Sequence, residues 1–314
     1  MSFIPRGSTD LLKDKLMMNR IVINDVKDIN LEHVFECGQC FRWVPAGDGS
    51  GDYTGAAGRY AARVSLRPAA PSVSTHDAAE DNVQNAGKYR LMIEATGGDE
   101  AFWRDYFDLG TDYGAIKDEL VRNEPEIESA VKYGYGIRIL RQDLFETLIS
   151  FIVSQNNNIP RIRKCIEALC SRYGEYIGEA FGREWHAFPE PEVLAAASEE
   201  DLAALRLGYR AGYIKAAAER YVSDKDCGCL PQTREDILSY RGVGPKVANC
   251  IMLFGLRDVG AFPVDTWVKH IMNDMYGFDE NDMRGMERFA RDKFGELAGY
   301  AQQYLFYYYR DSGR

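Results

Sequence analysis

The chain has 314 residues, of which 46% are apolar and 27% charged, with a formal net charge of −10. That length suits two domains, or one large one, with ample room for a core, and no apolar run nears the ~20 residues a membrane helix needs. The acidic balance argues mildly against nucleic acid as a partner, yet such binding depends on a local patch rather than on net charge.

The opening stretch, "MSFIPRGSTDLLKDKLMM", has charges spread through it and no clean apolar segment, so it does not read as a signal peptide. Residues 1–20 are expected to be a leader. Seven cysteines, an odd number scattered along the chain, point to a reducing, intracellular setting rather than a disulfide framework.

Residues 21–125 read as a β-rich domain. "CFRWV", "RYAARVSL" and "KYRLMIEAT" are short aromatic and β-branched runs with partial alternation, separated by glycine-rich turns such as "PAGDGSGDYTG". "RPAAPSVSTHDAAEDNVQNAGK" is polar and Pro/Ala-rich, a loop between two strands. Charge is segregated beyond it. Residues 99–128 hold ten acids against three bases, and residues 131–172 hold seven bases against three acids, which leaves room for a basic face.

From about Glu100 the pattern turns helical, and residues 126–314 are expected to form an all-helical domain. "QDLFETLISFIVSQ" is apolar around nearly its whole circumference, as a buried central helix must be. "NNN" interrupts it, and Pro160 suits the first turn of the next helix, which stops at Gly174. Ser198 with Asp201, and Thr233 with Asp236, resemble capping boxes that start further helices. The layout predicts an α+β fold, an N-terminal antiparallel sheet followed by helices.

The segment "RGVGPKVANCIMLFGLRDVGAFPVDTW" carries the chemistry. A helix from Thr233 ends at Gly242, Gly244 closes a turn, and Pro245 opens the next helix: a helix–hairpin–helix. Its glycines allow another backbone close, and amides at a helix N-terminus point towards an anion such as a phosphate. Lys246 lies in the first turn, where the macrodipole disfavours an ammonium; with partial burial it becomes an amine nucleophile. Asp265 reads as the N-cap of the helix "TWVKHIMNDMYG", and a carboxylate fixed in that way is also an oriented proton acceptor.

Gly-Val-Gly-Pro-Lys followed by Asp265 resembles the helix–hairpin–helix Gly/Pro/Asp superfamily of DNA glycosylases, in which lysine at this place marks the bifunctional members. Endonuclease III-like members carry a four-cysteine iron–sulfur cluster beyond the aspartate; here the last cysteine is Cys250, so no cofactor of that kind is expected. "CGQCFRW", "SQNNNIPRI", "LGYRAGY", "GVGPKVANC" and "AQQYLF" resemble, in the same order, motifs of the 8-oxoguanine DNA glycosylase/AP lyase family, across roughly residues 21 to 310. The resemblance implies a TATA-binding-protein-like N-terminal domain and a monomer acting on duplex DNA with 8-oxoguanine opposite cytosine. It allows a monovalent cation on hairpin carbonyls.

The same resemblance implies roles by motif position. Lys246 attacks the anomeric carbon, and Asp265 assists proton movements. Gly38 offers its carbonyl to the ring N–H that only the oxidised base carries; against guanine this contact is unmatched and costs about 1–3 kcal/mol. That is too small to reject a genome of guanine, so earlier gating must add to it. Phe306 and Cys250 sandwich the flipped base, and Gln302, one helical turn from Phe306, bonds its Watson–Crick edge. Asn156 fills the gap in the duplex, Tyr209 wedges beside it, and Arg161 and Arg210 read the orphaned cytosine. This chain departs from some relatives at Trp267, where a histidine contacts a phosphate, and at Cys40, where a serine is found.

Three other readings compete. "CGQC" and the Cys227/Cys229 pair could serve a redox or metal protein, but the second pair lacks the usual gap and "FRWV" is strand-like. A non-catalytic DNA clamp needs the hairpin but has no use for Lys246 and Asp265 at this spacing. A glycosylase for another lesion differs only in pocket shape.

Overall fold

The computed structural model describes residues 18–69 and 88–312. The expected leader up to residue 17 and most of the Pro/Ala-rich loop lie outside the described residues. Strand β1 (Asn19–Val26) is followed by α1 (Leu31–Glu36), β2 (Val44–Pro45), β3 (Tyr53–Ala57), β4 (Tyr60–Pro68) and β5 (Tyr89–Ala95). They form one antiparallel sheet in the order β1-β5-β4-β3-β2. In β5, Leu91, Ile93 and Ala95 are buried while Met92 and Glu94 are not, the period of two that puts one face on a core. Ile21 and Val64 stand opposite Ile93 in register.

That face is covered by α1 and by α2 (Glu100–Tyr106), which bring Phe35, Trp103 and Phe107 onto Trp43 and the strands. Phe35 and Trp43 stack with ring centroids 4.4 Å apart. A Cβ on Gly55 would stand 2.3 Å from Trp43 Cδ2, so β3 needs glycine there. The core of the sheet recruits Leu140 but ends at Phe107, and Tyr113 and Leu120 of α3 (Tyr113–Asn123) already belong to the helical core.

The chain continues through α4 (Glu128–Tyr133), α5 (Leu144–Ser154), α6 (Ile159–Tyr173), β6 (Tyr176–Ala180), β7 (Arg183–His186), α7 (Pro191–Ala196) and α8 (Glu199–Leu202). Then come α9 (Arg210–Asp226), α10 (Arg234–Leu238), α11 (Pro245–Phe254), α12 (Thr266–Tyr276), α13 (Met283–Phe294) and α14 (Ala298–Ser312). As the pattern predicts, α5 is buried on all sides, from Phe145 to Val153. Asn158 caps α6, with Pro160 in its first turn and Gly174 at its end. The Thr233–Asp236 capping box is formed in both directions at the start of α10.

The sequence reading needs three corrections. The helical part is not all-helical: β6 and β7 form a hairpin whose Trp185 packs on Ala56 and Ala61 of the sheet. "CFRWV" is not a full strand, because only Val44 of it pairs; its side chains are held by burial instead. Cys227 and Cys229 are joined in a disulfide, while the other five cysteines are free and buried. The bases of segment 131–172 are divided: Arg138 is buried, Arg141 pairs with Asp108 and Arg163 with Glu36, while Lys132, Arg161, Lys164 and Arg172 are exposed. Among the described residues no helix is long and apolar enough to cross a membrane.

Candidate active site

The hairpin between α10 and α11 sets the site. Gly242 has φ +84°, and a Cβ there would stand 2.4 Å from the Tyr213 ring, so both conformation and space require glycine. Val243 N–H closes the turn on the Tyr240 carbonyl at 3.0 Å. Gly244 is the exposed N-cap of α11, makes no side-chain capping bond, and would have open space around a Cβ. The first amides of α11 are thus offered outward with the positive end of the helix dipole, an arrangement suited to an anion.

Lys246 lies in the first turn of α11, half-buried, with its Nζ 5.5 Å from the ring centroid of Phe151 on α5. One turn on, Cys250 is buried; burial pushes its thiol above the ordinary range, and the Lys246 charge opposes the shift. Asp265 caps α12, its Oδ1 accepting from Val268 N–H at 2.9 Å. Burial pushes its carboxyl above the ordinary value, with the Val268 amide and the Lys246 charge pulling it back. Asp265 thus caps α12 and lines the same pocket as Lys246.

These three residues open on a single pocket of about 50 Å³. Gly38 and Cys37, just past α1, form one wall; Gln302, Gln303 and Phe306 of α14 form the facing one. Phe151, Phe254 and Pro263 supply the apolar remainder. Gly38 has φ +81°, and a Cβ there would come within 3.3 Å of Phe306 Cε1. This volume holds a few waters, so the pocket must widen to admit a larger ligand.

The Gly38 loop is fixed by its neighbour. The buried Gln39 amide donates to the carbonyls of Val34 at 2.8 Å and Arg138 at 2.7 Å, and accepts from Leu140 N–H at 2.7 Å. The Gln39 carbonyl accepts from Gln142 Nε2 at 2.8 Å.

A second group gathers beyond the end of α5. Asn156 is exposed at φ +45°, a left-handed conformation that asparagine tolerates. Tyr209 is 55% exposed, and its hydroxyl reaches the Gln155 carbonyl at 3.4 Å. Arg161 is exposed, with Nη2 at 3.4 Å from the Arg206 carbonyl. Arg210 differs from its expected role. It is buried, and its guanidinium donates to the carbonyls of Gln155, Asn156 and Leu207, so in this structure it is a clamp on the Asn156 loop rather than a free reader of a base.

The pocket thus brings together Lys246, Asp265, Gly38, Cys250, Gln302 and Phe306, and the Asn156 group stands apart from it. Trp267 is half-exposed on the first turn of α12, close in sequence to Asp265. Sequence reasoning missed Gln303, Phe151 and Gln39. Gln303 stands beside a residue it did identify, and two adjacent amides in an otherwise aromatic helix were a readable signal.

A helix–hairpin–helix presenting a lysine and a capping aspartate to one small pocket defines the class of helix–hairpin–helix base-excision proteins. Residues 149–296 match the family model of the HhH-GPD superfamily base excision DNA repair protein, and residues 21–148 match that of the 8-oxoguanine DNA glycosylase N-terminal domain. The chain belongs to the 8-oxoguanine DNA glycosylase family within that superfamily.

A probable N-glycosylase/DNA lyase of Methanothermobacter thermautotrophicus is 37% identical over 57% of this chain, and the match spans 65% of that protein, just under two thirds of it. An N-glycosylase/DNA lyase of Arabidopsis thaliana is 30% identical over 89% of this chain and 77% of its own length. The Clostridium acetobutylicum 8-oxoguanine glycosylase/lyase, solved with duplex DNA holding cytosine opposite the lesion, superimposes with a TM-score of 0.79 at 36% identity. That likeness covers 95% of this chain and 99% of the other.

Proposed function

We propose that this protein excises 8-oxoguanine paired with cytosine from duplex DNA and then cleaves the strand at the resulting site. The observation that carries the proposal is the convergence on one pocket of Lys246, Asp265, Gly38, Gln302 and Phe306, which come from four separate stretches of the chain. The relatives named as glycosylase/lyases, and the solved complex of one with lesion-containing DNA, support the substrate.

The residues divide the work as follows. The α11 amides and the hairpin glycines Gly242 and Gly244 hold a backbone phosphate, and Asn156 and Tyr209 occupy the space left by the extruded nucleotide. Arg161 reads the orphaned cytosine, with Arg210 holding the loop that carries Asn156. The flipped base lies between Phe306 and Cys250; Gln302 takes its Watson–Crick edge and the Gly38 carbonyl accepts from its N7–H. A neutral Cys250 thiol suits this face, because a thiolate would repel the electron-rich ring.

Lys246, as a free amine, then attacks C1′. The C1′–N9 bond breaks, and the base leaves with the electron pair and takes up a proton. The C1′–O4′ bond opens to give the Schiff base, with O4′ protonated. Loss of a C2′ proton expels the 3′ strand by cleavage of the C3′–O3′ bond. Asp265, anionic and fixed by the Val268 amide, stabilises the positive charge that develops at C1′ and on the iminium. These steps need no organic cofactor, and one copy of the chain supplies every residue they use.

The test is strand cleavage on duplexes differing at one position. Cleavage at 8-oxoguanine opposite cytosine with none at guanine supports the reading. Cleavage at another damaged base, with 8-oxoguanine left intact, overturns the substrate.

A further inference from the structure

Resting on the reading above, the geometry points to Gln303 as a second amide that determines specificity, its Oε1 accepting a hydrogen bond from the exocyclic amino group of the flipped base. Gln303 is 3% exposed and lines the pocket beside Gln302, which is 4% exposed. Its Nε2 donates to Gln302 Oε1 at 2.7 Å. Its own Oε1 is buried and has no hydrogen-bond partner among the described residues. A buried carbonyl left unpaired is destabilising, and such groups are retained where a ligand satisfies them.

A count of donors and acceptors makes the assignment specific. The Watson–Crick edge of a guanine-type base offers three N–H bonds, one on the ring nitrogen and two on the exocyclic amine, beside one carbonyl acceptor. A single glutamine carbonyl has two lone pairs. On Gln302 one of them is already taken by Gln303, so Gln302 alone can accept only one of the three donors. Gln303, which lines the same pocket, carries the next acceptor. An adenine-type edge, with an acceptor at the ring nitrogen, would meet these carbonyls lone pair to lone pair. The amide pair thus favours oxidised guanine over oxidised adenine as well as pre-orienting Gln302.

The test is an atom-deletion comparison on two duplexes, one with 8-oxoguanine and one with 8-oxohypoxanthine, which lacks only the exocyclic amine, each opposite cytosine. The readout is the ratio of single-turnover excision rates within one protein, so the fraction of correctly folded enzyme cancels. The wild type is expected to prefer 8-oxoguanine by about ten- to a hundred-fold, the consequence of stranding one buried acceptor. Gln303→Met, of similar volume with no carbonyl, is expected to bring the ratio near one. Gln303→Glu keeps the acceptor, with Gln302 turning its amide to donate, and is expected to keep the preference. A methionine variant with the wild-type ratio, or a glutamate variant that loses it, overturns the assignment while leaving the parent reading intact. A wild type that excises neither base overturns the parent reading itself.

Discussion

Arg210 Nη2 donates to the carbonyl oxygen of Asn156 across 3.0 Å, so the side chain assigned to the gap in the duplex is carried on a loop gripped by a buried guanidinium. Asn156 is backbone-strained for most residues at φ +45°, and the fork of Arg210 on Gln155 and Asn156 holds it there. Lysine cannot reproduce that fork. Arg210→Lys is expected to lower stability by about 2 kcal/mol, read as a fall in the urea midpoint. Its excision rates should fall in equal proportion opposite all four bases. Arg161→Ala, by contrast, should narrow the preference for cytosine by about tenfold or more, the value of one good base contact. An Arg210 variant that changes opposite-base preference instead would restore it as a reader.

Gly38 cannot be replaced without disturbing Phe306. Gly38→Ala places a Cβ 3.3 Å from Phe306 Cε1 and asks an L-residue to hold φ +81°, which costs about 1–2 kcal/mol. The expected outcome is a drop in thermal midpoint together with a loss of discrimination between 8-oxoguanine and guanine. A variant that melts lower yet discriminates normally would separate the loop's stability from its role in recognition.

Gln39 positions that same loop through three side-chain hydrogen bonds to buried backbone groups. Gln39→Leu leaves the Leu140 N–H and the Arg138 carbonyl without this partner, and the Val34 carbonyl with the Cys37 thiol alone, at a cost of about 1–3 kcal/mol for each stranded group. Denaturant unfolding measures the loss. Because Gln39 does not line the pocket, its effect on excision is expected through the placement of Gly38, as a lower rate constant with little change in duplex affinity.

How far the sequence speaks can be judged from these residues. Lys246 and Asp265 were legible because a glycine turn, a helix start and an N-cap are local features, whereas the pocket they line is made by distant stretches of the chain. Gly38 and Phe306 were legible only by motif, since nothing local says that positions 38 and 306 touch. Gln39 and the Arg210 clamp were not legible at all: a glutamine bonded to backbone across about a hundred residues leaves no periodic trace. The β6–β7 hairpin was missed for a related reason, because its strands are short and its Trp185 is explained only by the sheet it meets. Helix α5, by contrast, carried its burial in its composition.

His33 gives the fold an acid-sensitive contact near the site. Burial pulls its pKa down from 6.5 to about 4, with the Asp311 charge opposing, while its Nδ1 accepts from Gly136 N–H at 3.2 Å. The unfolded chain takes up the proton near pH 6.5 and the folded one only near pH 4. This contribution to stability is therefore full above pH 6.5 and is lost as pH falls from there towards 4, at up to about 1.4 kcal/mol per pH unit. His33→Gln keeps an acceptor for Gly136 without titrating, and its unfolding free energy should be flatter than wild type across that range.

Covalent joining of Lys246 to DNA is read out by borohydride trapping. Wild type and Lys246→Gln are each incubated with a duplex carrying 8-oxoguanine opposite cytosine, in the presence of borohydride. A stable protein–DNA adduct is expected with the wild type and none with the variant, with the reduced linkage mapping to Lys246. Base release by the wild type with no adduct, or an adduct that persists in the variant, would contradict it.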